Sequence, residues 1–186
     1  MSALFSVPNN DAIPWPVDFH RLMTAVKALG LSADIVHPGR SAYIFTQGTP
    51  FRLSLDTAGR FISIRAIWNM TLRSGADCSW VFAAANSWNQ KKYFPTVYWL
   101  SSTTLSSHSA SEGTTPNVGP DSDGGAATVG ARSSLHICAD FVVDIGAGLS
   151  PVQLQDNLEV GISSGVEAIH YMQRAEEETL ASRGLQ

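Results

Sequence analysis

Charged residues are scarce in this chain. They make up 15% of its 186 residues, while hydrophobic residues reach 44%. Typical soluble domains carry about 25% charged residues. A surface with so few charges leaves more apolar area exposed than a solitary monomer usually shows. We therefore expect a protein partner or self-association, with a homodimer as one form of it.

The chain also lacks a basic face. It has 12 Lys and Arg residues against 16 Asp and Glu, a formal net charge of −4, and the basic residues are scattered along the sequence. Neutralising phosphate groups requires clustered positive charge. The composition therefore argues against nucleic acid as the main partner.

Long apolar runs and a cysteine framework are missing as well. No run of about twenty apolar residues is present, so the sequence predicts no membrane span. The N-terminal stretch MSALFSVPNNDAIPWP has neither the basic start nor the apolar core of a secretory signal. Cys78 and Cys138 are the only cysteines, too few for a disulfide framework. These absences predict a cytoplasmic protein that does not bind membranes.

Hydrophobic periodicity predicts an α+β fold with the order helix, strand meander, helix, two strands, helix. Apolar residues recur at helical spacing between Pro16 and Gly30 and again along residues 77–92, where Asp77 is the expected N-cap. Between these helices, residues 32–69 alternate apolar and polar side chains. That alternation is typical of antiparallel strands with one buried face. We expect the helices to pack against this sheet.

The last helix carries two sequence signals. Ser150 and Gln153 form a predicted capping box at its start. Gly161 and Gly165 lie in its interior, where each glycine costs about 1 kcal/mol relative to alanine. We infer that the glycines allow close contact with a neighbouring backbone.

Residues 102–133 are dominated by Ser, Thr, Gly and Ala. Such a composition cannot bury enough apolar surface to offset the entropy lost on ordering. We expect a disordered insertion here, between two strands of one domain that spans residues 1–186. The core of that domain is expected over about 15–175, and the C-terminal tail after it is expected to fray.

The stretch AAANSWNQKKYFPTVYWL, residues 83–100, is interpreted as the place where the second helix meets the sheet. Asn86 and Asn89 stand near the helix end, where asparagine side chains satisfy unpaired backbone groups. Pro95 prevents further helix and precedes a strand. These residues are assigned a structural role.

Four residues are candidates for binding. Trp80 and Trp88 share one side of the second helix, and Trp99 belongs to the strand that follows it. Arg65 is a charge in the middle of a strand, and its default partner is Asp140 or Asp144 across the sheet. The exposed part of the three tryptophans, Trp80, Trp88 and Trp99, is the candidate recognition surface.

No catalytic residue is predicted. His136, Cys138 and Asp140 alternate onto one face of a strand, which separates neighbouring members by about 6.5–7 Å. A nucleophile and its base need to approach to about 3 Å and normally come from different elements. A small core cysteine flanked by polar residues is the simpler interpretation. The five histidines fit no zinc spacing, so no metal or cofactor is expected.

The order of these elements resembles the YbjN family, whose members are labelled bacterial sensory transduction regulators. Three motifs carry the likeness: Asn86-Ser87-Trp88-Asn89, Pro95 through Tyr98, and Gly148-Leu149-Ser150 followed by Gln153-Leu154. The resemblance runs from about Pro16 to about Arg174, apart from the insertion. It implies a fold like that of type III secretion chaperones, which are small proteins that bind other proteins, often as dimers. It brings no established active site.

The favoured hypothesis is a non-enzymatic, cytoplasmic regulatory or chaperone-like module that binds protein. Its working surface is expected on the exposed sheet face or on the helix that carries Trp80 and Trp88. The alternative is a small-molecule or thiol-redox sensor that uses Cys78 or Cys138. A hydrolase based on His136 and its neighbours is the least favoured.

Overall fold

The structure is a computed structural model and describes residues 13–72, 78–104 and 132–184. These residues form three helices and six strands in the predicted α+β order, which is confirmed. In chain order they are α1 (Phe19–Ala28), β1 (Ala33–His37), β2 (Ser41–Thr46), β3 (Thr49–Leu55), β4 (Phe61–Leu72), α2 (Ser79–Lys91), β5 (Thr96–Thr104), β6 (Arg132–Asp144) and α3 (Pro151–Ser182).

The six strands form one antiparallel sheet in the order β1-β2-β3-β4-β6-β5. The first four strands follow the chain as a meander, and β6 then pairs with β4 and places β5 at the edge. Alternate residues of the central strands point to one face and are almost fully buried there. This face carries Phe51, Leu53, Ile62, Ile64, Ala66, Ile137 and Ala139.

Helix α1 begins after Asp18, whose side chain accepts a hydrogen bond from the N–H of Arg21 at 2.8 Å. Its buried side is formed by Phe19, Leu22 and Val26. The chain leaves the helix through Gly30 at a φ of +74°, the left-handed conformation that favours glycine. The amphipathic pattern therefore gives the first helix as predicted.

Helix α3 lies across the middle of the sheet. Its capping box is present: Ser150 Oγ accepts from the N–H of Gln153, and Gln153 Oε1 accepts from the N–H of Ser150. A Cβ at Gly161 would lie 2.7 Å from Ile64 Cδ1, and one at Gly165 would lie 2.6 Å from Phe51 Cε1. The two glycines thus let the helix approach the sheet closely, but the atoms they meet belong to side chains and not to the neighbouring backbone that was expected.

Three predicted boundaries differ from the structure. Residues 102–104 and 132–133, expected to belong to a disordered insertion, are strand, because β5 continues to Thr104 and β6 begins at Arg132. The remainder of that expectation concerns residues 105–131, which lie outside the described part of the chain. The expected frayed tail is helical up to Ser182, since its Ala, Glu and Leu residues are strong helix formers. The N-cap of α2 is Cys78, which makes no side-chain capping hydrogen bond, while Asp77, the expected N-cap, lies outside the described residues.

Candidate functional site

One face of the sheet carries none of the three described helices. We call it the open face and define it by the side chains that alternate with the buried set. They include Tyr43, Phe45, Arg52, Arg65, Ile67, Tyr98, Leu100, Cys138, Asp140 and Val142. These residues come from five strands, so the site exists only when the whole sheet is assembled.

A polar network occupies the centre of the open face. Arg65 Nε and Nη2 donate to the two carboxylate oxygens of Asp140 at 2.7 and 2.8 Å, and Tyr98 Oη donates to Asp140 Oδ2 at 2.9 Å. The Arg65 guanidinium also lies 5.6 Å from the centroid of the Tyr98 ring. Paired β4 and β6 place Arg65 directly opposite Asp140. The default pairing of Arg65 is therefore found, with Asp140; Asp144 instead binds Arg60.

The network perturbs its members in a consistent way. The hydrogen bond to Asp140 raises the pKa of Arg65. Burial raises the pKa of Tyr98, and the neighbouring Asp140 carboxylate raises it further. Both groups therefore keep their protons at physiological pH, and the network acts as a fixed ion pair with a bound phenol.

Cys138 lies beside this network and is 2% exposed. Burial raises the pKa of its thiol, so the reactive thiolate is disfavoured. Asp140 is occupied by Arg65 and Tyr98, and a ring nitrogen of His136 bonds to Asn69. Cys138 is therefore a buried cysteine on the open side of the sheet, and the Asp140 side chain beside it is bonded to Arg65 and Tyr98.

Large apolar side chains surround the network and are exposed. Phe45 is 69% exposed, Val142 56% and Leu100 49%. Next to Val142, an open groove of about 500 Å³ runs between β6 and the chain that leads into β5. Tyr93 and Phe94 form its outer wall, and the polar network borders its inner side. Contiguous exposed apolar side chains mark protein interaction surfaces. Here the polar group lies at the centre of the patch, the reverse of the usual apolar centre with a polar rim.

Arg52 adds an unbalanced charge. Arg52 stands directly opposite Arg65 in the β3–β4 ladder. The carboxylate of Asp140 forms its ion pair with Arg65. No described carboxylate lies within salt-bridge distance of Arg52. Like charges directly opposite on a sheet are unfavourable. Among the described residues, Arg52 is therefore a cation of the open face that makes no ion pair, and Asp34 lies on the same face two strands away.

The three candidate tryptophans occupy different environments. Trp88 is 3% exposed, and its Nε1 donates to the carbonyl of Pro95 at 2.9 Å. Trp80 is half-buried, with its ring 6.5 Å from that of Trp68, and Trp99 is half-buried against Phe82. Trp88 is thus inaccessible in this conformation and contributes to the core. None of the three lies on the open face.

The asparagine motif has a structural role that differs in detail from the expected one. Asn89 does not bond to the helix end. Its side-chain amide accepts from the N–H of Val97 at 2.9 Å and donates to the carbonyl of Val97 at 2.8 Å. Asn86 is exposed and makes no hydrogen bond among the described residues. The amide of Asn89 thereby fixes the start of β5 to α2.

The sequence interpretation brought Arg65 and Asp140 together but missed Tyr98, Phe45 and Val142. The signal was present in the alternation of each strand. Phe45 follows the buried Ile44, and Val142 precedes Val143 on the opposite face. Large apolar residues at positions that alternate with the core indicate an apolar sheet face that the core does not cover.

Comparison with known proteins shows the fold. YbjN from E. coli, whose crystal structure is described as that of a candidate transcription regulator, superimposes with a TM-score of 0.53. The match covers 90% of this chain and 97% of YbjN at 11% sequence identity. No protein-family model and no curated protein sequence matches the chain. The predicted YbjN-like fold is therefore confirmed by structure rather than by sequence.

Two further features of the described residues limit the chemistry they offer. No group of three or more His, Cys, Asp or Glu side chains is placed to hold a metal ion. No helix is both long and apolar enough to cross a membrane. The open face remains the strongest candidate site.

Proposed function

We propose that this protein is a non-enzymatic, cytoplasmic regulatory module that binds another protein on the open face of its sheet. The observation that carries the proposal is the set of exposed apolar side chains around the Arg65–Asp140–Tyr98 network. Phe45, Val142 and Leu100 contribute nothing to the core, which lies on the opposite face. A partner that covers them would remove apolar surface from water at about 25 cal/mol per Å².

The charges of the open face indicate the chemistry of the partner. Arg52 lies beside Arg65 without a carboxylate of its own. An acidic side chain on the partner would neutralise it in a charge-assisted hydrogen bond. We expect the partner to present apolar residues flanked by Asp or Glu. YbjN, which shares the fold, is described as a candidate transcription regulator, and a regulator that binds protein is consistent with that description.

The thiol-sensor alternative finds less support. Cys138 is buried and its pKa is raised, and both properties slow oxidation and alkylation. Cys78 is half-buried at the start of α2. The open face is therefore the better-supported site.

The test is partner capture with matched surface variants. Tagged protein at native expression level is compared with Phe45→Glu and Val142→Glu, and with Val152→Glu as the control. All three positions are at least half exposed, and Val152 lies on α3, away from the open face. We expect one stoichiometric partner with wild type and the control, and its loss with both open-face variants.

Isothermal titration of the purified partner would then give the size of the effect. A buried interface usually loses tenfold or more in affinity when a charge replaces an apolar contact, since about 1.4 kcal/mol corresponds to a factor of ten. Arg52→Glu should weaken binding to a similar degree. A partner that binds all variants equally would show that the open face is not the binding surface.

A further inference from the structure

An open groove lies beside the open face, where β5 begins. Strand β5 begins at Thr96, which pairs with Asp140 of β6. Strand β6 runs on to Asp144, so its last residues adjoin the chain that leads into β5. The groove between them has a volume of about 500 Å³. Ligand pockets have volumes of about 300–1,000 Å³, so the groove is large enough for one bulky side chain.

The walls of the groove are apolar and mostly aromatic. Tyr93 and Phe94 form the outer wall, and Phe141 and Val142 of β6 form the opposite side. Tyr93 is fully exposed and Phe94 is half exposed, and the Phe94 ring meets the Phe141 ring edge-on with centroids 5.2 Å apart. Aromatic side chains are enriched at protein contact surfaces. The walls therefore favour a flat apolar side chain that would remove these rings from water.

The outer wall is held in place from inside the molecule. Trp88 Nε1 donates to the carbonyl of Pro95 at 2.9 Å. The side-chain amide of Asn89 bonds to both backbone groups of Val97. These bonds fix the chain immediately after Phe94. A site that is rigid before binding loses less conformational entropy when a ligand enters it.

The inner end of the groove presents hydrogen-bond acceptors. Tyr98 donates its hydroxyl proton to Asp140 Oδ2 at 2.9 Å, so its oxygen retains only lone pairs. The Asp140 carboxylate accepts from Arg65 and from Tyr98 and has no proton to give. Thr96 and Tyr93 also line the groove, and their hydroxyls can donate or accept. A ligand group that donates a hydrogen bond is therefore matched at this end.

The charges at this end select a neutral donor. Arg65 neutralises Asp140 through two hydrogen bonds of 2.7 and 2.8 Å. A Lys or Arg side chain would therefore enter beside an existing cation, which repels it. A carboxylate offers only acceptors, and these would face the oxygens of Tyr98 and Asp140. Tryptophan combines a neutral group that donates without accepting and a large apolar ring.

We propose that the groove receives a tryptophan side chain of the protein that binds the open face. The indole ring lies between Phe94 and Val142, and its N–H donates at the Tyr98–Asp140 end. This inference rests on the proposed function for the presence of a partner, and it adds the residue that anchors the partner. Tryptophan is among the residue types that most often dominate the binding energy of an interface.

The test is a titration of the full chain with two small probes, followed by the shifts of its amide resonances in NMR spectra. Indole has the N–H, and 1-methylindole has the same ring without it. We expect indole to shift the resonances of Phe94, Thr96 and Val142. We expect 1-methylindole to bind about two- to tenfold more weakly, the factor that one neutral hydrogen bond gives.

A pair of variants places the probe in the groove. Tyr93 is fully exposed, so Tyr93→Ala removes part of the outer wall without removing a buried contact. It should weaken indole binding about two- to tenfold, as expected for one lost aromatic contact. Phe82→Ala is the matched control, because Phe82 is also an exposed aromatic residue but lies on α2 and does not line the groove. Its affinity for indole should equal that of wild type, and circular dichroism checks that both variants are folded.

Three results would overturn the proposal. The first is that indole shifts none of the groove resonances, and the second is that 1-methylindole binds as tightly as indole. The third is that Tyr93→Ala and Phe82→Ala bind indole equally well. If p-cresol or butylammonium bound in the groove more tightly than indole, the anchor would be tyrosine or lysine instead of tryptophan, and the proposal would be wrong.

The titration uses no partner protein, so its outcome is independent of partner capture. A chain that captures a partner through Phe45 and Val142 but does not bind indole would keep the open-face function and lose the tryptophan anchor. A chain that binds indole in the groove but captures no partner would lose the open-face function, while the groove would still be a site for a neutral aromatic donor.

Discussion

Replacing Gly165 by alanine would test how tightly α3 lies against the sheet. The new methyl group would be 2.6 Å from Phe51 Cε1 and 3.1 Å from Ala66 Cβ. Non-bonded carbon atoms prefer about 3.5–4.0 Å. Phe51 is 0% exposed, so its ring has no solvent to move into. The helix or the ring must therefore shift within a filled core.

Two opposing terms decide the size of the effect. Alanine is favoured over glycine in a helix by about 1 kcal/mol. Forcing an extra methyl group into a packed core costs about 1–3 kcal/mol, and sometimes more. The short contact with Phe51 places Gly165→Ala toward the upper end of that cost. We expect the free energy of unfolding to fall by about 1–2 kcal/mol.

Urea unfolding followed by circular dichroism measures this change, with Ser163→Ala as the control on the exposed side of the same helix. The control should lie within about 0.5 kcal/mol of wild type. Phe51→Leu removes the atoms that clash, so adding Gly165→Ala in that background should cost at least about 1 kcal/mol less. A Gly165→Ala chain as stable as wild type, or an unchanged cost in the Phe51→Leu background, would refute the close packing.

Three other perturbations address the open face and the start of β5. Asp140→Asn leaves Arg65 without its counter-charge in a partly buried site, so unfolding in urea should show a loss of about 1–3 kcal/mol; a loss below about 0.5 kcal/mol would mean that the pair is solvated. Asn89→Ala removes two hydrogen bonds from Val97 and should cost about 1–2 kcal/mol in the same assay, whereas a neutral result would show that water replaces the amide. Folding raises the pKa of Tyr98, so its stabilising effect is complete below the unfolded pKa of about 10 and declines as the pH rises above it. Tyr98→Phe should flatten that alkaline decline, and an identical decline in both proteins would contradict the assignment.

Helices and strands could be predicted because their signals are local. The Ser150–Gln153 capping box and the stripe on α1 each lie within a few residues of sequence. Gly161 and Gly165 likewise indicated close helix packing, because a glycine cost inside a helix needs a compensating contact. Local rules therefore gave the order of elements, and the YbjN-like fold follows from that order.

The site could be predicted only in part, because it depends on which strands become neighbours. Arg65 had two possible partners on one strand, Asp140 and Asp144. The choice between them requires the register of β4 against β6, which are separated by α2 and β5 in the chain. Tyr98 joins the network from a third strand. No pattern within one strand contains that information.

Burial at the α2–β5 connection was equally hard to predict. Trp80 and Trp88 lie on the same side of the helix, yet only Trp88 is fully enclosed. Its indole N–H reaches the carbonyl of Pro95, a contact created by the turn that follows the helix. Helical periodicity gives the side of the helix on which a residue lies. The depth of its burial depends on where the following turn and strand pack.

The open face bears on how a chain with so few charges can have an ordered surface. A sheet covered by helices on one face must solvate the other face or bind something to it. Here the polar network at its centre stays satisfied by Arg65, Asp140 and Tyr98, so a partner can cover the surrounding apolar residues without burying an unpaired carboxylate. If the open face binds a partner as proposed, the scarcity of charge is an expected property of the sheet.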